Sequence, residues 1–86
     1  MAEVEIGVVQ HYFDKIGVGA IEITEGELAV GDTIHIKGHT SDFTMTVESM
    51  QIEHEEVEKA VKGDSIGIRL AEKVRGNDKV FKVTEN

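Results

Sequence analysis

The sequence contains no cysteine, which excludes disulfides and the usual cysteine zinc sites and fits a reducing cytoplasm. It contains no proline either, and no linker or low-complexity segment divides it. No apolar run approaches the roughly 18 residues needed to span a bilayer, so no membrane partner is expected. The opening residues, Met1-Ala2-Glu3-Val4-Glu5, are acidic and lack the basic segment that begins a secretion signal. Together these absences lead to the expectation of a soluble, cytoplasmic protein. At 86 residues the chain makes a single domain, 1–86, that buries only about 60–65% of the surface of its extended form. A second domain or a deep, multi-walled active site does not fit in that length.

Basic residues are scarce as well, 9 Lys and Arg against 17 Asp and Glu, for a net charge of −8. That balance argues against a general nucleic-acid binder, because phosphate contacts need Lys and Arg. The charge is unevenly spread. Residues 1–58 carry a net −11 and residues 59–86 a net +3. The basic set is Lys59, Lys62, Arg69, Lys73, Arg75, Lys79 and Lys82. Such a dipolar surface can steer a partner, though solvated charge that keeps a small protein soluble is the commoner meaning.

What is present reads as short strands and polar turns. Val4, Ile6 and Val8 alternate with Glu5 and Gly7, the period of a half-buried strand. After a polar loop around His11–Lys15, the apolar positions of Val18–Ile23 change parity, and a bulge or bend is expected in that strand. Ile34 and Ile36 mark a third strand. Phe43, Met45 and Val47 then give way to Met50 and Ile52 in the other parity, predicting a second bulge near Glu48-Ser49. Ile66, Ile68 and Leu70 form a fifth strand, and Val80–Val83 a sixth. Only Glu55–Val61 offers a helical turn, with Val57 and either Ala60 or Val61 on one side. Six strands with bulges and glycine turns suggest a small all-β barrel, because closure removes the exposed edges. Side chains fill the interior of so small a barrel, so no ligand cavity is expected.

Gly63-Asp64-Ser65-Ile66-Gly67 matches G-x-S-x-G, the pattern of a hydrolase nucleophile elbow. An elbow needs a strand before its serine and a helix after it, whereas here the alternating strand follows. The same layout recurs in Gly31-Asp32-Thr33 and, more loosely, in Gly76-Asn77-Asp78. A pattern repeated before separate strands is turn punctuation, in which glycine permits positive φ and aspartate accepts backbone N–H groups. Ser65 is therefore a turn residue, and no catalytic residue is assigned.

The segments "GVGAIEITEGELAVGDTIHIKG" and "TVESMQIEHEEVEKAVKGDSIGIRL" resemble the β-barrel domain 2 of translational GTPases such as elongation factor Tu. The shared features are a glycine-rich second strand, a G-x-L-x-x-G-D-x-[IV]-x-I turn and strand, and a V-x-S-[IM]-x segment running into A-x-x-G-D-x-[IV]-G. The likeness covers nearly the whole chain and implies a six-stranded closed Greek-key barrel, here as a free-standing elongation-factor-like small protein. A related barrel ends the U32 peptidases. The resemblance does not bring a GTPase, since no G-x-x-x-x-G-K-[ST] loop is present and no nucleotide is expected to bind this chain alone. By that resemblance Glu48 matches an acidic position near the tRNA end, but Gln51 stands where elongation factor Tu has arginine.

Other constellations carry less. His35 and His39 lie on a strand and its following loop, where a spacing of four does not make a zinc site. The cluster Glu53-His54-Glu55-Glu56 with Glu58 lacks calcium-loop spacing and reads as a solvated acidic turn. No metal or cofactor is expected. Tyr12-Phe13 places one aromatic on each face of an extended chain, so one of the two is available for stacking or docking. The sequence thus predicts a non-enzymatic binding module contacting ribosome or RNA through Tyr12, Glu48, Arg69, Lys73, Arg75 and Lys79. The alternative is a protein-interaction subunit of a separately encoded, U32 peptidase-like enzyme.

Overall fold

A computed structural model describes residues 2–84, and these residues form ten strands and no helix. They are β1 (Ala2–Phe13), β2 (Val18–Ile23), β3 (Glu27–Ala29), β4 (Thr33–Lys37), β5 (Asp42–Thr46), β6 (Met50–Ile52), β7 (Glu55–Val57), β8 (Lys59–Val61), β9 (Ser65–Arg69) and β10 (Lys79–Thr84). Eight form one sheet in the order β5-β4-β10-β1-β2-β9-β6-β7, and β3 pairs with β8 in a separate ribbon. The six expected strands are all there. The extra ones are β3, β7 and β8, together with the division of the 43–52 segment into β5 and β6.

The path from β5 to β6 dictates the shape. These strands are six places apart in the sheet order, about 29 Å if the sheet were flat. Only residues 47–49 join them, and a link of that length reaches about 14 Å. The sheet therefore curls until its two ends approach. Among the described residues no ladder zips β5 to β7, so the hydrogen-bonded closure expected of a six-stranded barrel is not seen. Backbone bonds from the β3–β4 turn span the seam instead: Gly31 N–H to Val47 O at 2.8 Å, Val47 N–H to Asp32 O at 2.8 Å, and Val30 N–H to Glu58 O at 2.9 Å. Val47 and Met50 are buried on either side of exposed Glu48 and Ser49. The parity change expected as a bulge is thus a crossing between sheet edges.

Bulges do occur, but in β1. Ile6 is extra against β10, and Gln10 is extra against β2. Bulges increase local twist, and β1, with partners on both sides, distributes that twist to the middle of the sheet. β2, where a bulge was expected, is regular. Gly19, Ile21 and Ile23 point inward, whereas Val18 and Ala20 face out. Gly19 faces inward because Leu70 occupies the space a side chain would take, its Cδ1 lying 2.5 Å from where a Cβ would stand. The core comprises Ile6, Val9, Ile21, Ile23, Ile34, Ile36, Met50, Ile66, Ile68 and Val80 with their neighbours, and the ribbon caps it with Leu28 and Ala60.

The expected helical turn at Glu55–Val61 is corrected to two strands. Lys59 and Val61 are exposed while Ala60 is fully buried, an alternation of two that pairs in register with Glu27–Ala29. A Lys59–Glu27 ion pair at 3.0 Å flanks the ribbon.

The three Gly–Asp turns share one geometry. Asp32, Asp64 and Asp78 each accept, through Oδ2, the backbone N–H three residues earlier, from Ala29 at 2.8 Å, Val61 at 2.9 Å and Arg75 at 3.1 Å. The preceding residue has positive φ in every copy: Gly31 at 99°, Gly63 at 97° and Asn77 at 75°. Ser65 merely opens β9, and its Oγ donates to Gln10 Oε1 at 3.2 Å.

Gly7 gives a direct test of this packing. A Cβ there would stand 2.5 Å from the backbone oxygen of Glu22, an atom the β1–β2 ladder holds in place. Gly7→Ala is expected to cost about 2 kcal/mol of folding free energy, read from urea unfolding; an unchanged midpoint would contradict this register.

Candidate interaction surface

The residues singled out from the sequence do not gather into one patch. Tyr12 is half-buried against the core, whereas Phe13 is the exposed member of the pair. Tyr12 packs against the core, opposite Gly19 in register. Glu48 and Arg69 both line the seam groove, with Met45, Thr46, Ser49 and Leu70. Lys73 and Arg75 share a notch with Thr40 and Val74. Lys79 opens β10, separated from β9 and Arg69 by β1 and β2. Two of these cations already face carboxylates, Lys73 with Asp14 at 3.8 Å and Lys79 with Glu5 at 3.5 Å. The basic third of the sequence is split in space and partly neutralised, unlike a continuous track along a phosphate backbone.

On the outer face of β4, His35 lies between two carboxylates. Its Nδ1 is 2.8 Å from Glu3 Oε2 on β1, and its Nε2 is 2.5 Å from Asp42 Oδ1 on β5. The ring also tilts against Phe81 of β10, with centroids 6.4 Å apart. A neutral imidazole donates from only one nitrogen, but an imidazolium donates from both. Hydrogen bonds to Asp42 and then Glu3 accordingly raise the His35 pKa, and the bond to His35 lowers that of Asp42. With both nitrogens engaged, the ring is a clamp across β1, β4 and β5. It is not free to act as a base or a metal ligand. Among the described residues no group of three or more His, Asp or Glu is arranged to hold a metal ion.

A second feature was not anticipated. Phe13 and Ile16, 45% and 58% exposed, are two of the largest apolar side chains at the surface, and both line one outer-face groove. Its floor is Ala20 of β2 and Gly67 of β9, paired in register. At its other end stands the two-residue turn Glu53-His54 between β6 and β7, with φ of 50° and 68°. Both central residues at positive φ mark a type I′ turn, which favours Asn-Gly. Two larger residues there cost about 1 kcal/mol each. The sequence signal was the Tyr12-Phe13 pair. Its outward member was knowable only from the register.

Comparison with known proteins gives the module a context. No family model matches the chain. Over 84 residues it is 40% identical to an uncharacterized protease of Methanocaldococcus jannaschii, covering 96% of this chain and 20% of that protein. Over 81 residues it is 41% identical to a collagenase of Porphyromonas gingivalis, covering 93% of this chain and 20% of that protein. The chain thus spans about a fifth of the length of the curated relatives it matches. Among solved structures, the C-terminal domain of a Geobacillus thermoleovorans protein described as a U32 peptidase superposes with a TM-score of 0.86. That match has 17% identity and covers 93% of this chain and 92% of that one. The selenomethionine variant of the same domain gives 0.84 at 16% identity, covering 90% and 96%. The fold is therefore that of the C-terminal domain of a U32 peptidase. The expected identity with elongation factor domain 2 is not supported.

The clamp predicts a pH dependence. Because the folded-state pKa of His35 is raised, its contribution is complete below the unfolded value of about 6.5 and is lost as pH rises through the folded value. His35→Gln is expected to destabilise the protein more at pH 5.5 than at pH 9. Equal changes in urea midpoint at both pH values would contradict a charged clamp.

Proposed function

We propose that this chain is a non-catalytic β module that acts beside a separately encoded polypeptide of the U32 peptidase type. The supporting observation is the match itself: nearly the whole chain aligns, at about 40% identity, with proteins named protease and collagenase, and it takes the fold of a U32 peptidase's C-terminal domain. The residues of the module suit such a role. Ser65 of β9 bonds to Gln10 of β1 across β2, His35 is held by Glu3 and Asp42, and the aspartates of the three Gly–Asp turns serve the backbone. None of these groups is arranged as a nucleophile and its base. The chain brings binding surface, and the partner brings chemistry.

A ribosome- or RNA-binding module of the translation-factor type is the weaker reading. It depends on Arg69, Lys73, Arg75 and Lys79 acting together, and they are distributed over separate parts of the surface. The net charge of −8 also opposes approach to phosphate.

Affinity purification of the tagged full chain from its own cells, with and without nuclease, separates the two. Nuclease-resistant recovery of a polypeptide resembling the relatives' remaining four fifths is expected. Recovery of ribosomal or transfer RNA that nuclease abolishes, and that Lys73→Glu with Arg75→Glu also abolishes, would overturn the proposal.

A further inference from the structure

The seam groove mixes Met45 and Leu70 with Glu48 and Arg69, which carry opposite charges; Lys73 of the notch already faces Asp14; and the His35 clamp is internally satisfied. The outer-face groove is different. It measures about 380 Å³, and a small-residue floor sits between apolar side chains at one end and a strained turn at the other. Gly67 is not required there by its own backbone: it has no positive φ, and an added Cβ would make only ordinary contact with Val18 at 3.5 Å. What the absent side chain leaves is depth. At the far end the chain places Glu53 and His54 in positive-φ positions that Asn and Gly would occupy without strain. Both of their side chains line the groove. Depth at the floor, exposed Phe13 and Ile16 at one end, and strain retained at the other all converge on one spot.

We propose that this groove is the docking site for the partner polypeptide, and that it receives an apolar side chain flanked by a basic residue. The proposal rests on the reading of the chain as a module beside a U32-type polypeptide. An apolar side chain suits the Ala20–Gly67 floor and the Phe13 and Ile16 wall, since anchors of this kind fill desolvated pockets at the centre of interfaces. A basic neighbour suits Glu53, the charged residue of the lining, and Glu22, which follows Ala20 on the outward side of β2. The same charge argues against a second copy of this chain as occupant. Two copies at −8 each repel, and the other exposed apolar side chains, Val4, Val30 and Val61, are too short to fill the groove.

The experiment places the photo-crosslinker p-benzoylphenylalanine at Gln51, an exposed groove residue, in the full chain expressed in its own cells. A parallel sample carries it at exposed Lys37 on β4, which β10 and β1 separate from β2. Irradiation should attach the Gln51 site, and not the Lys37 site, to the same polypeptide that wild-type chain co-purifies. Ala20→Arg should abolish that adduct and reduce co-purification about tenfold or more while leaving thermal unfolding in place. Should Ala20→Arg fail to fold, Glu53→Lys on the exposed turn should still weaken the adduct. If the polypeptide co-purifies but crosslinks only from Lys37, the groove is overturned and the module reading stands. Adducts to RNA or to a second copy of this chain overturn the groove's occupant. Absence of any U32-type polypeptide from the wild-type purification overturns the module reading, and the docking site with it.

Discussion

Everything in this fold follows from the short crossing at Val47-Glu48-Ser49. Those residues must carry the chain between strands that lie near opposite ends of an eight-stranded sheet, and a flat sheet would put them beyond reach. Curling is therefore imposed by connectivity. The two bulges of β1 supply twist at the centre of the sheet, and the β3–β4 turn ties the seam with backbone bonds to Val47. A curled sheet encloses one small, apolar, filled core and leaves chemistry to its outside. The grooves on this molecule are accordingly shallow features of the outer surface.

Much of that architecture can be read in the residues. Alternation locates the strands β1, β2, β4, β5, β6, β9 and β10. The repeat of Gly31-Asp32, Gly63-Asp64 and Asn77-Asp78 marks turn punctuation, because a carboxylate accepting an N–H three residues back is a local interaction. The failures were long-range. Gly19 is inward only because Leu70 arrives from 51 residues later to fill the space above it, and without that contact the apolar pattern imitates a bulge in β2. Ala60 is buried because β3 is available to pair with β8; the segment alone fits a helical turn equally well.

The candidate surface shows the same division. That one of Tyr12 and Phe13 is exposed follows from strand geometry, but which one depends on the register with β2. The clustering of Lys and Arg after residue 59 is a fact of sequence, yet β9 and β10 are separated by β1 and β2. A charge patch in one dimension became separate points in three. The groove over Ala20 and Gly67 was invisible because its walls come from four strands and two turns, and small residues announce nothing by themselves.

These features suit the proposed accessory module, with an interior filled by core side chains and grooves only on its outer surface. The likeness to one fifth of longer proteins supports a polypeptide as its natural neighbour, and the net negative charge points away from nucleic acid. Native mass spectrometry of the nuclease-treated assembly purified from its own cells tests that claim most directly. The account predicts a species in which one 9.5 kDa chain adds to the mass of one U32-type polypeptide. Chain alone, in multiples of itself, or carrying RNA mass would contradict it.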